Sequence, residues 1–323
     1  MSSELRGSEG PPGLPTASSA PAGDAAVAAP LADSGAAVLG PKRKRNEVVY
    51  FAVRNSKFII GLVVVLLYLA IGIIGPQFTD YGAYDYVGPS NEAPGSEFWL
   101  GTTTFGQDVY TQVVLGLGST FVVGLLGGGL ATLIGMAVGF TAGYRGGWID
   151  EVLSMLTNIV LTIPQLAALI IVAAYLQVRG VVIEGVLIGL FGWPWIARAI
   201  RAQTFTLRTR EFVDLARLSG VGTAKIIRRE IAPNMSSYLV LVLILSFGGA
   251  ILTGAFLEFL GLGPTDAVTL GTMMNHAVSW SALQLGLWWW FVPPGLAITM
   301  IVSALYFMNV GLDEVFNPKL RET

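Results

Sequence analysis

The chain contains no cysteine among its 323 residues, which removes disulfides, thiolate metal sites and cysteine nucleophiles together. Charge is nearly as scarce. Asp, Glu, Lys and Arg make up 12% of the residues, about half the share of an ordinary globular domain. A water-soluble protein of this length could not coat its surface with so few. The single histidine, His276, has neither cysteine nor a carboxylate pair near it in sequence, so it offers no metal or triad constellation and reads as a loop residue. No glycine is followed by lysine, so the GxxxxGK[ST] phosphate loop is absent and the chain is not itself a P-loop ATPase.

What is abundant is apolar. Hydrophobic residues make up 53%, and 40 glycines and 16 prolines are largely interleaved with Leu, Ile and Val, a mixture that membrane helices tolerate. The composition is that of a multi-spanning membrane protein. Residues 1–45 are the exception. They are rich in Ala, Gly, Pro and Ser, lack hydrophobic periodicity, and read as a disordered tail. The tail ends in Lys42, Arg43, Lys44 and Arg45. Such a cluster could bind nucleic acid, but the apolar span beside it favours a topological anchor, so no nucleic-acid partner is expected.

Apolar runs predict six spans, at about 58–75, 119–142, 153–176, 181–197, 237–260 and 286–308. The first is too long and too deep in the chain for a signal peptide and ends at Gly75-Pro76. Placing the N-terminus inside puts 18 of the 19 Lys and Arg on that side, leaving Arg179 outside, as the positive-inside rule requires. Both termini are then cytoplasmic. The stretch 79–112, with Asp80, Asp85, Glu92, Glu97 and Asp108 and no basic residue, is compatible with the outside. This divides the chain into a tail (1–45), a first span with its extracytoplasmic loop (46–115), a core membrane domain (116–310) and a short cytoplasmic C-terminal tail (311–323).

Segment 198–233 is too polar for lipid and too patterned for a random loop. Phe212, Leu215, Ala216 and Leu218 recur at helical spacing beside Arg208, Arg210, Glu211, Asp214 and Arg217, which predicts a short amphipathic helix. Gly220 and Gly222 supply its C-cap and turn. A second helical stretch runs from about Thr223 to Ile231 and is closed by Pro233. Two readings stand: a helix lying on anionic lipid, or one docking its apolar face into a partner.

Asp214-Leu215-Ala216, Gly220 and Ile231-Ala232-Pro233 resemble the EAA loop of ATP-binding-cassette (ABC) importer permeases, with Asp for Glu, Leu for the first Ala and Ala for Leu. Leu100-Gly101-Thr102 with Gly106-Gln107-Asp108-Val109 resembles the LGTDxxGRDV stretch of C-type dipeptide and oligopeptide permeases, with Thr103 and Gln107 replacing Asp and Arg. Ala142-Gly143-Tyr144, Gly146-Gly147-Trp148 and Asp150 are similar to that family's AGYYGGWVD turn. Gly192-Trp193-Pro194, Phe259 to Gly263 and Pro294 to Ile298 extend the likeness over about 50–320.

The resemblance implies an all-α membrane protein, with the six transmembrane helices of the type I ABC importer permease fold and a cytoplasmic coupling-helix loop. It implies a homologous second permease subunit, two ATP-binding cassette ATPase subunits or domains that use ATP and Mg, and an extracytoplasmic solute-binding protein. The chain itself would be non-catalytic and bind no cofactor. In the family the EAA loop sits in a groove of the ATPase. That role carries over here to Glu211, Phe212, Asp214, Leu215, Ala216, Arg217, Gly220, Val221 and Gly222. The solute stays open among di- or oligopeptides, oligosaccharides and nickel complexes, and an ATP-independent secondary transporter is the rival class.

Within the spans the ionisable residues are Glu184 and Glu258, both expected near the outer ends, where exposure costs little. The resembled family usually has a Glu near position 254, where this chain has Gly254. Glu258 lies one turn further along the same face, either a contact in the translocation path or an interfacial carboxylate. Pro164, Pro194 and Pro293-Pro294 can kink helices along such a path. Gly135, Gly139 and Gly143, with Gly124 and Gly128 upstream, predict close helix contacts along the second span. Trp280 and Trp288 to Trp290 read as an outer interfacial belt.

Overall fold

A computed structural model describes residues 54–176 and 179–316. The expected tail over 1–45, with its basic cluster, and Lys319 and Arg321 near the C-terminus lie outside the described residues. The described residues are helical throughout their regular parts: α1 (Ser56–Ile74), α2 (Val109–Arg145), α3 (Gly147–Thr162), α4 (Gln165–Tyr175), α5 (Val181–Leu207), α6 (Glu211–Leu218), α7 (Thr223–Ile226), α8 (Ser236–Phe259), α9 (Leu270–Ser279) and α10 (Trp288–Phe316). Five of these, α1, α2, α5, α8 and α10, are long and apolar enough to cross a membrane. A sixth span results when α3 and α4 are counted together. Side chains on their outer faces, such as Ile60, Leu67, Leu125, Leu133, Ile159 and Phe307, are apolar and exposed, as contact with hydrocarbon requires.

The helix ends depart from the hydropathy reading where polar residues are helical for local reasons. α2 begins at Val109, not 119, because Asp108 caps it: its carboxylate accepts from the Thr111 N–H at 2.9 Å and the Thr111 hydroxyl at 2.7 Å. Its polar first turns lie against the ordered loop that precedes them, where the Gln112 amide donates to the Ala83 carbonyl at 2.8 Å. At 37 residues α2 is about 55 Å long, far more than a bilayer core. α5 likewise runs ten residues past the expected end of its span, to Leu207.

The third predicted span is not one helix. α3 and α4 meet at a 74° bend at Ile163-Pro164, both extended in backbone. Pro164 has no N–H to continue the ladder and drives Ile163 out of the helical region. Pro194 and the Pro293-Pro294 pair, by contrast, are absorbed inside α5 and α10.

Glycine sets the packing. A Cβ at Gly135 would lie 2.6 Å from Ile196 Cγ2, and one at Gly139 would lie 2.7 Å from the Ala197 carbonyl oxygen, so α2 lies against α5 backbone to backbone. On another face Gly128 meets Phe247 of α8 at 2.6 Å in the same sense. Gly61 brings α1 onto α10 at Met308, where Lys57 pairs with Glu314.

Loop 79–108 is ordered, held by backbone hydrogen bonds such as Thr102 N–H to Glu92 O at 2.9 Å. Gly101, at φ +69°, passes so near Trp289 that a Cβ would lie 2.8 Å from its indole. Trp289 donates to the Thr102 carbonyl at 3.1 Å. The tryptophan belt is therefore corrected: Trp280 and Trp288 are exposed, but Trp289 and Trp290 are buried, since the first turn of α10 faces this loop. His276 is corrected too. It lies half-buried in α9, beside Tyr84, not in a loop.

Candidate functional site

Two places gather the functional candidates, one at the end of the bundle near residues 144–147 and one inside it. At the first, α6 is built as the sequence predicts. Glu211 and Asp214 occupy its first turn and Arg217 its last, complementing the helix dipole. Its C-terminus is a Schellman turn. Gly220, at φ +71°, donates to the Arg217 carbonyl at 2.9 Å, and Val221 donates to the Ala216 carbonyl at 3.1 Å.

The buried side of α6 is centred on Val213, which has no solvent exposure and which the periodicity reading passed over. Phe212, Ala216 and Val221 are half-buried around it, against a cluster that includes Phe140, Tyr144, Ile200, Ile226 and Ile231. Leu215 and Leu218, read as part of the apolar face, are 65% and 86% exposed. Both project from a surface that also carries Glu211, Asp214 and Arg217, all exposed. Residues 227–231 form a π-helical turn before Ala232–Asn234. The wider turn makes room for the Pro233 ring, which would otherwise press on the carbonyl four residues earlier.

Charged groups tie this end together. The Arg217 guanidinium donates to the Tyr144 hydroxyl and to Asp214 at 3.1 Å. Arg208 donates to the Gly143 carbonyl at 3.2 Å. Arg201 forms a two-pronged pair with Asp150, at 2.5 and 2.7 Å. The turn around Tyr144 to Asp150 thus serves as a seat for the end of α5 and for α6. Nothing in the local pattern marks the Arg201–Asp150 pair, because its partners lie 51 positions apart.

Inside the bundle, a groove of about 430 Å3 runs between α2, α4, α5, α8 and α10, with Gln165, Ser246, Thr253 and Tyr306 on its walls. Pro164 and Pro194 flank it through their neighbours Gln165 and Trp195. Glu258 is not brought to this groove. It lies in the last turn of α8, 1% exposed, facing α9 and Glu184. Glu184 and Glu258 sit near the ends of their helices, and both are buried there, 8% and 1% exposed. The positions that depart from the LGTDxxGRDV pattern are structural. Thr103 and Gln107 are buried, and Gln107 donates its backbone N–H to the Thr103 hydroxyl at 3.2 Å.

Comparison with known proteins agrees with this architecture. The family described as binding-protein-dependent transport system inner membrane component matches residues 135–322. The chain is 30% identical over 273 residues to the dipeptide transport system permease protein DppC of Alkalihalophilus pseudofirmus, covering 83% of this chain and 88% of that one. It is 29% identical over 272 residues to the oligopeptide transport system permease protein OppC of Bacillus subtilis, covering 83% and 87%. With OppC of Mycobacterium bovis it shares 30% over 283 residues, covering 86% and 96%. With its bundle of membrane-length helices and a match across more than half its length, the chain is an integral membrane protein that belongs to the family of binding-protein-dependent transport system inner membrane components, among the peptide permeases of ABC transporters.

Proposed function

We propose that this chain is the translocating subunit of an ATP-driven importer and passes di- or oligopeptides delivered by an extracytoplasmic binding protein. Both termini and α6 face the cytoplasm, on the side that holds 18 of the 19 basic residues. A homologous permease subunit completes the path, and two ATPase subunits, using ATP and Mg, sit beneath α6. Peptide is the solute that the names of the relatives support.

The observation that carries the coupling role is the two-sidedness of α6. One face is anchored through Val213 and the Arg217–Tyr144 contact, while Leu215 and Leu218 stand exposed among charges. A rigidly held helix with an uncovered apolar ridge is suited to docking in a groove. It transmits force better than a helix floating on lipid. ATP binding would draw the ATPases together, α6 would travel with its groove, and the spans would reopen toward the binding protein.

The test is ATP-dependent peptide uptake in proteoliposomes carrying the chain, its partner permease, the ATPases and the binding protein. Gly220→Pro or Asp214→Arg should abolish uptake and co-purification with the ATPase while leaving the chain in the membrane. Intact assembly and uptake in both variants would refute the coupling role of this loop, and uptake without ATP would refute the importer reading.

A further inference from the structure

Glu184 and Glu258 approach each other from the first turn of α5 and the last turn of α8. Glu258 has a donor, the backbone N–H of Gly271 in the first turn of α9, at 3.1 Å. Glu184 has none. Both its carboxyl oxygens are buried and lack a hydrogen-bond partner among the described residues. Its side chain reaches into space left by Gly254 of α8, where an added Cβ would stand 3.7 Å from Oε1. Gly254 precedes Glu258 by one turn on the same face of α8, so the Glu184 carboxyl stands beside the Glu258 side chain.

The elements around the pair do not neutralise it. α2 presents Val123 and α4 presents Leu169 and Ala173, none of them titratable. Arg179 lines the small cavity beside Glu184, but it donates to the Gly261 carbonyl at 3.0 Å and to neither Glu184 oxygen. Asp266, packed at Gly180, adds a further negative charge nearby. The hydroxyls of Thr269 and Thr272 bond to each other at 3.1 Å. Two carboxylates side by side in such surroundings, whose donors, the Gly271 N–H and the Thr269 hydroxyl, both serve Glu258, cannot both be ionised. The donor Glu184 lacks is supplied most simply by an O–H on one of the two acids.

We propose that Glu184 and Glu258 form a one-proton site. One carboxyl is held as the acid, and its O–H donates to the carboxylate of the other. The bond fastens the start of α5 to the end of α8 and, through Gly271, to α9. The neighbouring cavity, of about 20 Å3, has room for about one water molecule, enough to carry the proton to and from the site. Any movement that parts α5 from α8 at this end must break this bond and let water reach both groups. The site is therefore a latch whose closed state requires the proton. It does not depend on which solute is carried.

Infrared spectroscopy of the full chain in lipid nanodiscs at neutral pH tests this directly, because protonated and ionised carboxyl groups absorb at separate positions. The wild-type chain should show a protonated-carboxyl band that shifts in heavy water, and Glu184→Gln with Glu258→Gln together should remove it. Each single substitution should move or remove the same band. Replacing potassium by sodium in the buffer should leave it unchanged. A wild-type spectrum without the band, a band that survives in the double variant, or one that vanishes in sodium and so marks a metal-cation site would overturn the proposal. The wild-type and sodium measurements stand even if a variant does not assemble. No transport is measured, so failure here leaves the importer reading untouched, and the reverse holds too.

Discussion

The guanidinium of Arg217 lies 5.1 Å from the centre of the Tyr144 ring and donates to its hydroxyl at 3.3 Å. One residue closes α6 and the other closes α2, so this contact joins the exposed helix to the longest helix of the bundle. Tyr144 is buried at 8% exposure, so Tyr144→Ala loses a packed ring, about 3–5 kcal/mol, as well as the Arg217 contact, about 1–2 kcal/mol. The expected result is a several-fold weaker co-purification of the ATPase, with Tyr144→Phe intermediate because it keeps the ring. Equal assembly in all three proteins would show that Tyr144 does not hold α6 in place.

Leu218 is 86% exposed and touches little within the chain. Leu218→Glu should therefore leave thermal stability unchanged while lowering the affinity for an ATPase partner by tenfold or more, about 1.4 kcal/mol. Val213→Asp, at a site with no exposure, should instead destabilise the folded chain by several kcal/mol. Melting curves in detergent and partner titrations separate the two effects. A loss of stability in Leu218→Glu would place that side chain against the bundle.

What was legible in the sequence follows from range. The apolar runs, α6 and its glycine cap depend on residues a few positions apart. The cap and the place of α6 are found where turn chemistry puts them, and the runs fall in membrane-length helices except for the broken third, but the inward face of α6 is centred on Val213 and not on Leu215 and Leu218. The start of α2 was hidden because Thr111 and Gln112 are polar, and only their packing on loop 79–108 explains a helix there. The bend at Pro164 was foreseen as a possibility, but its 74° size is set by tertiary packing. Neither the Arg201–Asp150 pair nor the meeting of Glu184 with Glu258 has any local signal, since their partners come together only when α5 packs on α3 and α8.

The glycine ridge gives a sharp contrast within one helix. Gly135→Leu would drive a side chain into Ile196, already 2.6 Å from the position of a Cβ, and overpacking of this kind costs about 1–3 kcal/mol. Gly129 on the same helix has nothing within 4 Å of an added Cβ. Gly129→Ala should raise stability by up to about 1 kcal/mol through helix propensity. Thermal unfolding in detergent should move the two variants in opposite directions. A stabilised Gly135→Leu would contradict the close α2–α5 contact.

His276 offers a pH test away from the spans. Burial in α9 lowers its pKa below the ordinary value, so the folded chain binds its proton less readily than the unfolded chain does. The contribution to stability is fully present above the unfolded value of about 6.5 and is lost as pH falls through the lower folded value. The melting temperature of the wild-type chain should fall between pH 7 and pH 5 by more than that of His276→Gln. Parallel curves for the two proteins would mean that His276 is not burdened by burial.

The Arg201–Asp150 pair separates a structural ion pair from an incidental one. Its two parallel hydrogen bonds, with the Asp150 side chain 14% exposed, fix the start of α3 against the last turns of α5. The Arg201 side chain is 37% exposed, so solvent screening limits the worth of the pair to about 1–2 kcal/mol. Asp150→Asn and Arg201→Gln should each lower the melting temperature. The double variant should cost less than their sum, because neither charge is then left without its partner. The same variants should loosen α6, which shares its seat with Arg201 through the Tyr144 turn, and so reduce ATP-dependent uptake beyond what the stability change accounts for. Strictly additive losses, with uptake tracking stability alone, would show that the pair acts on folding and takes no part in transmitting force from α6 to the spans.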